Sequence, residues 1–174
     1  MDYPHHLVKH RVLFNGTPIT IRPIRTEDSD MAQEFVRHLS EESRYSYFMG
    51  TLRELPGRKL ESFTHIDYER HMAFVATIVL DGKELGIGFA QYVATTKPGA
   101  CEFGIAVDDA CQGTGVAGLL MVALQDAARR NGFESMEGIV LRSNRKMLKF
   151  ARQIGFRIYR EPGEEDTVHI ALQL

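Results

Sequence analysis

A glycine-rich segment between a predicted strand and a predicted helix is the most restrictive feature of this 174-residue chain. The segment is Gln112-Gly113-Thr114-Gly115-Val116-Ala117, and Gly118 follows it. Glycines at the start of a helix leave backbone N–H groups uncovered, and the helix dipole adds positive potential at the same point. The segment therefore predicts a site for an anion such as a pyrophosphate. A glycine turn that merely starts a helix is the alternative, and the motif alone leaves both open.

The same glycines have the spacing of a dinucleotide-binding fingerprint, G-x-G-x-x-G, but their context does not fit one. In a dinucleotide-binding unit the first glycine follows the strand almost at once, and an acidic residue ends the next strand about 20 residues later. Here residues 108–112 intervene, and the next predicted strand ends at Leu141-Arg142 without an acid. Predicted antiparallel strands also precede the motif. These observations disfavour dinucleotide binding.

A different ligand suits the longer loop. Residues between a strand and the following helix allow that strand to splay away from its neighbour. A long, thin ligand can then lie in the gap and hydrogen-bond to the strand backbone as an additional strand would. Coenzyme A fits this description, because it carries a pyrophosphate at one end and two amides in its pantetheine arm.

Hydrophobic periodicity and turn signals divide the chain into helices first and strands later, as one continuous domain over residues 1–174. Asp81-Gly82 predicts a hairpin, Gly86 and Gly88 indicate a bulge or a close backbone approach, and Thr26 is the predicted N-cap of the first helix. The helices are predicted from Thr26 to Leu39, at 40–48, 58–64, 116–131 and 144–154, and the strands at 19–23, 72–80, 85–93, 101–107, 136–141, 157–159 and 168–172. This order predicts an α/β or α+β fold with helices on both faces of a sheet.

Composition excludes several classes of function. A formal net charge of −2 gives no global attraction to nucleic acid, and no apolar run reaches the roughly 20 residues of a membrane span. Two cysteines cannot form a disulfide framework, and the seven histidines show no metal-binding spacing. We expect a cytoplasmic protein that uses no metal.

The glycine segment matches the signature R/Q-x-x-G-x-G/A, and on it the chain resembles the GNAT acetyltransferase superfamily. Four further segments resemble the catalytic domain of bacterial protein lysine acetyltransferases that modify acyl-CoA synthetases. They are Arg22 to Asp28, Leu39 to Tyr45, Ile66 to Ala73 and Glu102 to Val107. The resemblance extends over residues 13–174.

The resemblance implies a GNAT-like fold, with a mixed, mostly antiparallel sheet of about seven strands that is splayed at the fourth strand. It implies acetyl-CoA as cosubstrate, held by strand backbone at the pantetheine arm and by loop N–H groups at the pyrophosphate. The far arm of the cofactor would meet Asn144, which is alternatively a plain N-cap. The expected cofactor-binding residues are Ile105, Ala106, Val107, Gln112, Gly113, Thr114, Gly115, Val116, Ala117, Gly118 and Asn144.

Glu102 is the candidate catalytic residue. Strand alternation places Glu102 on one face with Gly104 and Ala106, which leaves room for a substrate beside a carboxylate. We expect this carboxylate to be partly buried and to act as general base toward an amine, because an amine attacks only in its neutral form. The related lysine acetyltransferases carry their catalytic glutamate at this position. A solvated strand glutamate is the alternative.

One departure from the family concerns the general acid. Many GNAT enzymes place a tyrosine where this chain has Ala151, and the lysine acetyltransferase subgroup shares its absence. A thiolate is already a good leaving group, since thiol pKa values lie near 8.5, so the two alternatives are water as the acid and no acid at all. Tyr92 and Tyr159 are other candidate donors, although packing is the simpler role for each. Cys111 could carry an acyl group, but no histidine neighbours it and direct transfer is the family norm.

Together with the resemblance, these observations predict transfer of an acetyl group from acetyl-CoA to an amine. The first-choice acceptor is a protein lysine, and a lysine of an acyl-CoA synthetase is one candidate. Two alternatives stay open: a small-molecule amine as the acceptor, and a non-catalytic module that binds acyl-CoA as a sensor or a subunit. The acceptor, the acyl chain length and the formation of a homodimer are not specified by the sequence.

Overall fold

A mixed sheet of eight strands forms the centre of the fold in the computed structural model, which describes residues 2–174. Neighbouring strands are antiparallel except β5 and β6, which are parallel. The spatial order is β1-β2-β3-β4-β5-β6-β8-β7. The strands are β1 Lys9–Val12, β2 Pro18–Pro23, β3 His71–Leu80, β4 Lys83–Ala94, β5 Ala100–Val107, β6 Ser135–Leu141, β7 Arg157–Tyr159 and β8 Thr167–Gln173.

Residues 2–174 form five α-helices, which cover the two faces of this sheet. They are α1 Ser29–His38, α2 Glu41–Phe48, α3 Gly57–Thr64, α4 Val116–Arg130 and α5 Arg145–Gln153. The apolar sides of α1, α2 and α3 pack with Phe89 and Ala106 on one face. On the other face α4 and α5 pack with Phe74 and Phe103. The predicted architecture of a mixed, mostly antiparallel sheet with helices on both faces is therefore confirmed.

The local signals in the central hairpin are also confirmed. β3 and β4 are joined at Asp81-Gly82, where both residues have positive φ, +50° and +75°. Ala76 pairs with Gly88 and Thr77 with Gly86, so the intervening Ile87 is the extra residue of a β-bulge. A Cβ on Gly88 would stand 2.9 Å from the Leu120 side chain. The absence of a side chain at Gly88 therefore allows the Leu120 side chain of α4 to pack closely against β4.

Two details of the structure differ from the prediction. The sheet has eight strands rather than about seven, because β1 adds a strand of four exposed residues that carries no hydrophobic alternation. Thr26 is not the N-cap of α1. It lies in a short 3₁₀ turn, Thr26–Asp28, and α1 begins at Ser29. The turn forms because the Asp28 carboxylate accepts a hydrogen bond from the N–H of Arg25 at 2.7 Å.

A buried ion pair fixes this turn to the sheet. The guanidinium of Arg22 donates to both oxygens of Asp28, at 2.7 and 2.8 Å, and to Glu84 at 2.7 Å. Arg22 and Asp28 are both buried, so each charge requires the other. The contact connects β2, the start of α1 and β4. None of the helices formed by residues 2–174 has the length and hydropathy of a membrane span.

Candidate active site

A gap opens in the middle of the sheet between the two parallel strands. β5 and β6 pair only over Ala100–Glu102 and Ser135–Glu137, after which they separate. β5 continues to Val107 while still paired with β4 on its other side. The splay was predicted at the fourth strand, residues 101–107, and this strand is β5 in the structure because β1 was not predicted. The splay is therefore found at the predicted strand.

The backbone of β5 alternates between β4 and this gap. The N–H of Asp108 donates to the carbonyl of Ile87 at 2.8 Å, and the carbonyl of Ala100 accepts from Thr95 at 3.0 Å. Even-numbered residues of β5 therefore direct their backbone groups toward β4, because these groups alternate sides along a strand. The N–H and C=O groups of Ile105 and Val107 consequently face the gap and are available to a ligand.

The glycine segment forms a loop with uncovered amides at the end of β5. Gly113 and Gly115 have φ values of +77° and +94°, and Gly115 is the N-cap of α4. The first backbone bond of α4 runs from Leu119 N–H to Gly115 C=O at 3.2 Å. Within residues 2–174, the amides of residues 113–118 donate no hydrogen bond. The loop thus presents six N–H groups at a helix N-terminus, as an anion site does.

Open space lies over this loop. A Cβ added at Gly113 or Gly118 would meet no atom within 4 Å. On the remaining side, the tip of the β1–β2 hairpin contacts the loop: Phe14 N–H donates to the Thr114 carbonyl at 3.0 Å. The Phe14 ring lies against Gly115, where an added Cβ would come within 3.0 Å of it. The loop can therefore receive a ligand from its open side only.

A cleft of about 1780 Å³ joins the gap to the loop. Its wall includes all twelve residues that the sequence predicted for the site, from Glu102 to Asn144. Asn144 is also the N-cap of α5, since its Oδ1 accepts from Met147 N–H at 3.2 Å. The two readings of Asn144 are therefore compatible, because one side chain both caps the helix and borders the cleft.

Glu102 lies where β5 and β6 begin to separate. Its register partner on β6 is Glu137, which forms an ion pair with Lys97 at 3.0 Å. The Glu102 side chain forms no hydrogen bond or ion pair with residues 2–174, whereas its backbone pairs with Val93 of β4. The expectation of partial burial was wrong, because the side chain is exposed at the point where the cleft opens to solvent.

The space over Gly104 is also not empty. An added Cβ there would stand 3.2 Å from the hydroxyl oxygen of Tyr47, a residue of α2. Gly104 therefore makes room for this ring rather than for a substrate. Gln91 Nε2 donates to the Tyr47 hydroxyl at 3.5 Å, and Gln91 Oε1 lies 3.0 Å from His71 Nε2. Burial raises the pKa of Tyr47 to about 12.

Tyr47 was missed by sequence reasoning. It is the one tyrosine of residues 2–174 that lines the cleft. The two tyrosines considered as donors lie elsewhere. Tyr92 is fully buried, donates to the carbonyl of Glu69 at 3.0 Å and accepts from Asn131 at 2.7 Å. Tyr159 lies on β7 against the ring of His169.

The other candidate chemistries find no support at the cleft. Burial and the neighbouring Asp108 raise the pKa of the Cys111 thiol, which disfavours the thiolate that an acyl-cysteine mechanism would need. Ala151, at the position where many family members have tyrosine, is buried in the core. Residues 2–174 contain no group of three or more histidine, cysteine or acidic side chains that could hold a metal ion.

Comparison with known proteins agrees with this geometry. The model of the acetyltransferase (GNAT) family matches residues 32–156. Acetyltransferase PA5475 of Pseudomonas aeruginosa is 35% identical over 156 residues, which are 90% of this chain and 84% of that protein. The GNAT domain of PAT from S. lividans is 28% identical, with a TM-score of 0.89 over 99% of this chain and 100% of that domain.

A more distant structure shows the fold with a ligand. It is yncA from Salmonella typhimurium, described as a putative acetyltransferase with its cofactor acetyl-CoA, and it is 19% identical to this chain. Its TM-score is 0.70, over 90% of this chain and 94% of yncA. With the family model matching residues 32–156 and a relative 35% identical across most of both proteins, the chain belongs to the GNAT acetyltransferase family, whose members use acetyl-CoA.

Proposed function

We propose that this protein is an N-acetyltransferase that moves an acetyl group from acetyl-CoA to a lysine side chain of another protein. The observation that carries the proposal is the position of Glu102. Its exposed carboxylate lies at the last residue of β5 that pairs with β6, and the gap between the two strands begins there. A base at that point is adjacent to any thioester that lies along Ile105 and Val107.

The chain's own groups suit coenzyme A at both ends. The uncovered amides of residues 113–118 would hold the pyrophosphate, and the gap-facing backbone of Ile105 and Val107 would bind the pantetheine amides. Asn144 would contact the far arm of the cofactor. When bound, acetyl-CoA supplies a thioester whose carbonyl carbon an amine can attack, to give an amide and a free thiol.

Glu102 would act as the general base. A lysine ammonium has a pKa of about 10.4 in water, so it must lose a proton before it attacks. Because the carboxylate is exposed, it can take this proton through a water molecule as well as directly. With alanine at 151 instead of tyrosine, the departing thiolate would take its proton from solvent.

The preference for a protein lysine has two supports. The motifs between Arg22 and Val107 resemble those of bacterial protein lysine acetyltransferases, and the fold matches the GNAT domain of S. lividans PAT over nearly all of both chains. An acyl-CoA synthetase is the first-choice acceptor on that resemblance.

The two free thiols, Cys101 and Cys111, are consistent with a reducing cytoplasm.

The test is an acceptor panel. Thiol release from acetyl-CoA would be measured with a purified acyl-CoA synthetase, free lysine and a polyamine, and acetylated lysines would be located by mass spectrometry. We expect the synthetase to be preferred by at least tenfold in kcat/KM. Turnover with small amines alone would contradict the protein-lysine assignment. Binding of acetyl-CoA without turnover on any acceptor would instead favour the sensor alternative.

A further inference from the structure

We propose that the Tyr47 hydroxyl donates a hydrogen bond to the thioester carbonyl oxygen of the acyl donor, which makes Tyr47 a second catalytic residue beside Glu102. This inference rests on the proposed function, because it requires acetyl-CoA along β5. Tyr47 belongs to α2, and neither the glycine segment nor the candidate base depends on it.

Placement brings Tyr47 to the centre of the site. The hydroxyl lies over Gly104, on the face of β5 that also carries Glu102. Successive residues of one face are about 6.6 Å apart along a strand, so Glu102 is the neighbour, on this face, of the residue that the hydroxyl covers. Ile105, whose backbone faces the gap, adjoins Gly104. A carbonyl bound at this point of β5 is therefore within reach of the hydroxyl.

The hydrogen-bond network leaves the hydroxyl proton available. Gln91 Oε1 lies 3.0 Å from His71 Nε2, and an amide oxygen can only accept, so the histidine nitrogen is the donor. In this orientation of the Gln91 amide, Nε2 is the atom that faces the Tyr47 oxygen and donates to it, at 3.5 Å. The Tyr47 proton has no acceptor among residues 2–174. A tyrosine phenol, with an ordinary pKa near 10, is protonated at neutral pH, so this proton can be donated toward the cleft.

The transfer needs a donor of this kind. As the amine nitrogen bonds to the carbonyl carbon and the C–S bond breaks, negative charge accumulates for a time on the carbonyl oxygen. Tyr47 would stabilise that charge while keeping its own proton, Glu102 would accept the amine proton, and the thiolate would leave with the C–S electron pair. A donor positioned in advance costs no reorganisation when the charge develops.

Gly104 supplies an independent way to move the hydroxyl. An alanine Cβ at this position would lie 3.2 Å from the hydroxyl oxygen and 3.3 Å from the ring atom Cε2. Contacts this short displace the ring from β5 and leave its chemistry unchanged. Gly104→Ala should therefore reproduce part of the effect of Tyr47→Phe.

The experiment compares Tyr47→Phe with Tyr45→Phe, an exposed tyrosine on the same helix, as the matched control. The first measurement is the infrared carbonyl band of bound acetyl-CoA labelled with ¹³C at the carbonyl carbon. Loss of a hydrogen bond strengthens the C=O bond, so we expect the band to move to higher wavenumber in Tyr47→Phe, and by less in Gly104→Ala. Tyr45→Phe should match wild type. This readout needs no acceptor.

The second measurement is kinetic, with any amine that wild type acetylates. Tyr47→Phe should lower kcat about a hundredfold and leave KM for acetyl-CoA within about twofold, the pattern of a lost transition-state contact. A carbonyl band equal to that of wild type, or a change confined to KM, would overturn the Tyr47 assignment and leave the proposed function intact. Failure of wild type to bind acetyl-CoA would contradict the proposed function itself.

Discussion

The amide of Asp108 donates a hydrogen bond to the carbonyl of Ile87 at 2.8 Å. Ile87 is the extra residue of the bulge in β4, so this contact connects the bulge to the end of β5. It also shows which residues of β5 direct their N–H and C=O groups toward β4. These are the even-numbered residues, so the backbone groups of Ile105 and Val107 face the gap. We therefore expect the pantetheine arm of acetyl-CoA to bind main-chain atoms. Most side-chain substitutions in β5 would leave these atoms in place.

Proline at residue 105 tests this alternation. Ile105→Pro removes an N–H that faces the gap, and we expect acetyl-CoA to bind at least about tenfold more weakly, the loss of one hydrogen bond. Ile105→Ala keeps the N–H and is the matched control for lost packing. The measurement is titration calorimetry with acetyl-CoA.

The companion variant is Ala106→Pro. The Ala106 N–H faces β4, where Phe89 is its register partner, so its removal leaves a buried carbonyl without a donor. We expect Ala106→Pro to be less stable than Ile105→Pro by about 1–3 kcal/mol in urea unfolding. Equal stabilities, or equal affinities of Ile105→Pro and Ile105→Ala, would show that the backbone of β5 has the opposite alternation.

Gly115 is the residue of the loop least able to accept a side chain. Its φ is +94°, and an added Cβ would come within 3.0 Å of the Phe14 ring. We expect Gly115→Ala to weaken acetyl-CoA binding at least about tenfold, because the displaced loop no longer directs its amides at one anion. Gly132→Ala, at the other end of α4 with φ +82°, carries similar backbone strain away from the cleft. Equal affinities for the two variants would argue against the loop as the pyrophosphate site.

Much of the sheet was predictable because its strands carry local signals. Asp81-Gly82 can adopt the positive φ of a tight hairpin, and Gly86 and Gly88 flank the bulge residue. β1 carries no such signal, since its four residues are exposed and form a strand only by pairing with β2. The start of α1 was misplaced for a similar reason. The Asp28 carboxylate accepts hydrogen bonds from Arg22 and Arg25, and Arg22 lies on a separate strand.

The candidate site was predictable only where its residues are close together in the sequence. The sequence could assign the glycine loop and Glu102 to one candidate site, and the structure has both at the cleft, because the loop, the strand before it and the family motif are contiguous. Tyr47 could not, because its contact with Gly104 joins residues 57 positions apart in the sequence. The exposure of Glu102 depends on where β6 leaves β5, which strand alternation does not specify.

Asp109 connects the loop before the glycines to α2, the helix that carries Tyr47. Its carboxylate accepts hydrogen bonds from the N–H and hydroxyl of Ser40 and from the hydroxyl of Ser43, at 2.9, 3.0 and 2.6 Å. Partial burial opposes ionisation, but the hydrogen bonds from Ser43 and Ser40 outweigh it and lower the pKa of Asp109 below its usual value of 3.8. These bonds therefore stabilise the fold above about pH 4 and are lost as the pH falls through the lowered pKa.

Asp109→Ala should remove this pH-dependent contribution. At pH 7 we expect the variant to be less stable than wild type by about 1 kcal/mol, since the contact is solvent-exposed. The difference should shrink as the pH is lowered from 7 to 3, because wild type then loses the same bonds by protonation. Urea unfolding at several pH values measures it, and a difference that stays constant over this range would contradict the role given to the carboxylate.

The central claim is that Glu102 is the general base of acetyl transfer. It is tested most directly by comparing wild type with Glu102→Gln under saturating acetyl-CoA, with an acceptor that wild type acetylates. We expect the glutamine variant to bind acetyl-CoA with unchanged affinity, because Glu102 lies outside the backbone groups that would hold the cofactor. Its kcat should fall by about 10²- to 10⁴-fold, the usual contribution of a positioned base. A variant that binds acetyl-CoA and matches the wild-type kcat on every acceptor would contradict the claim.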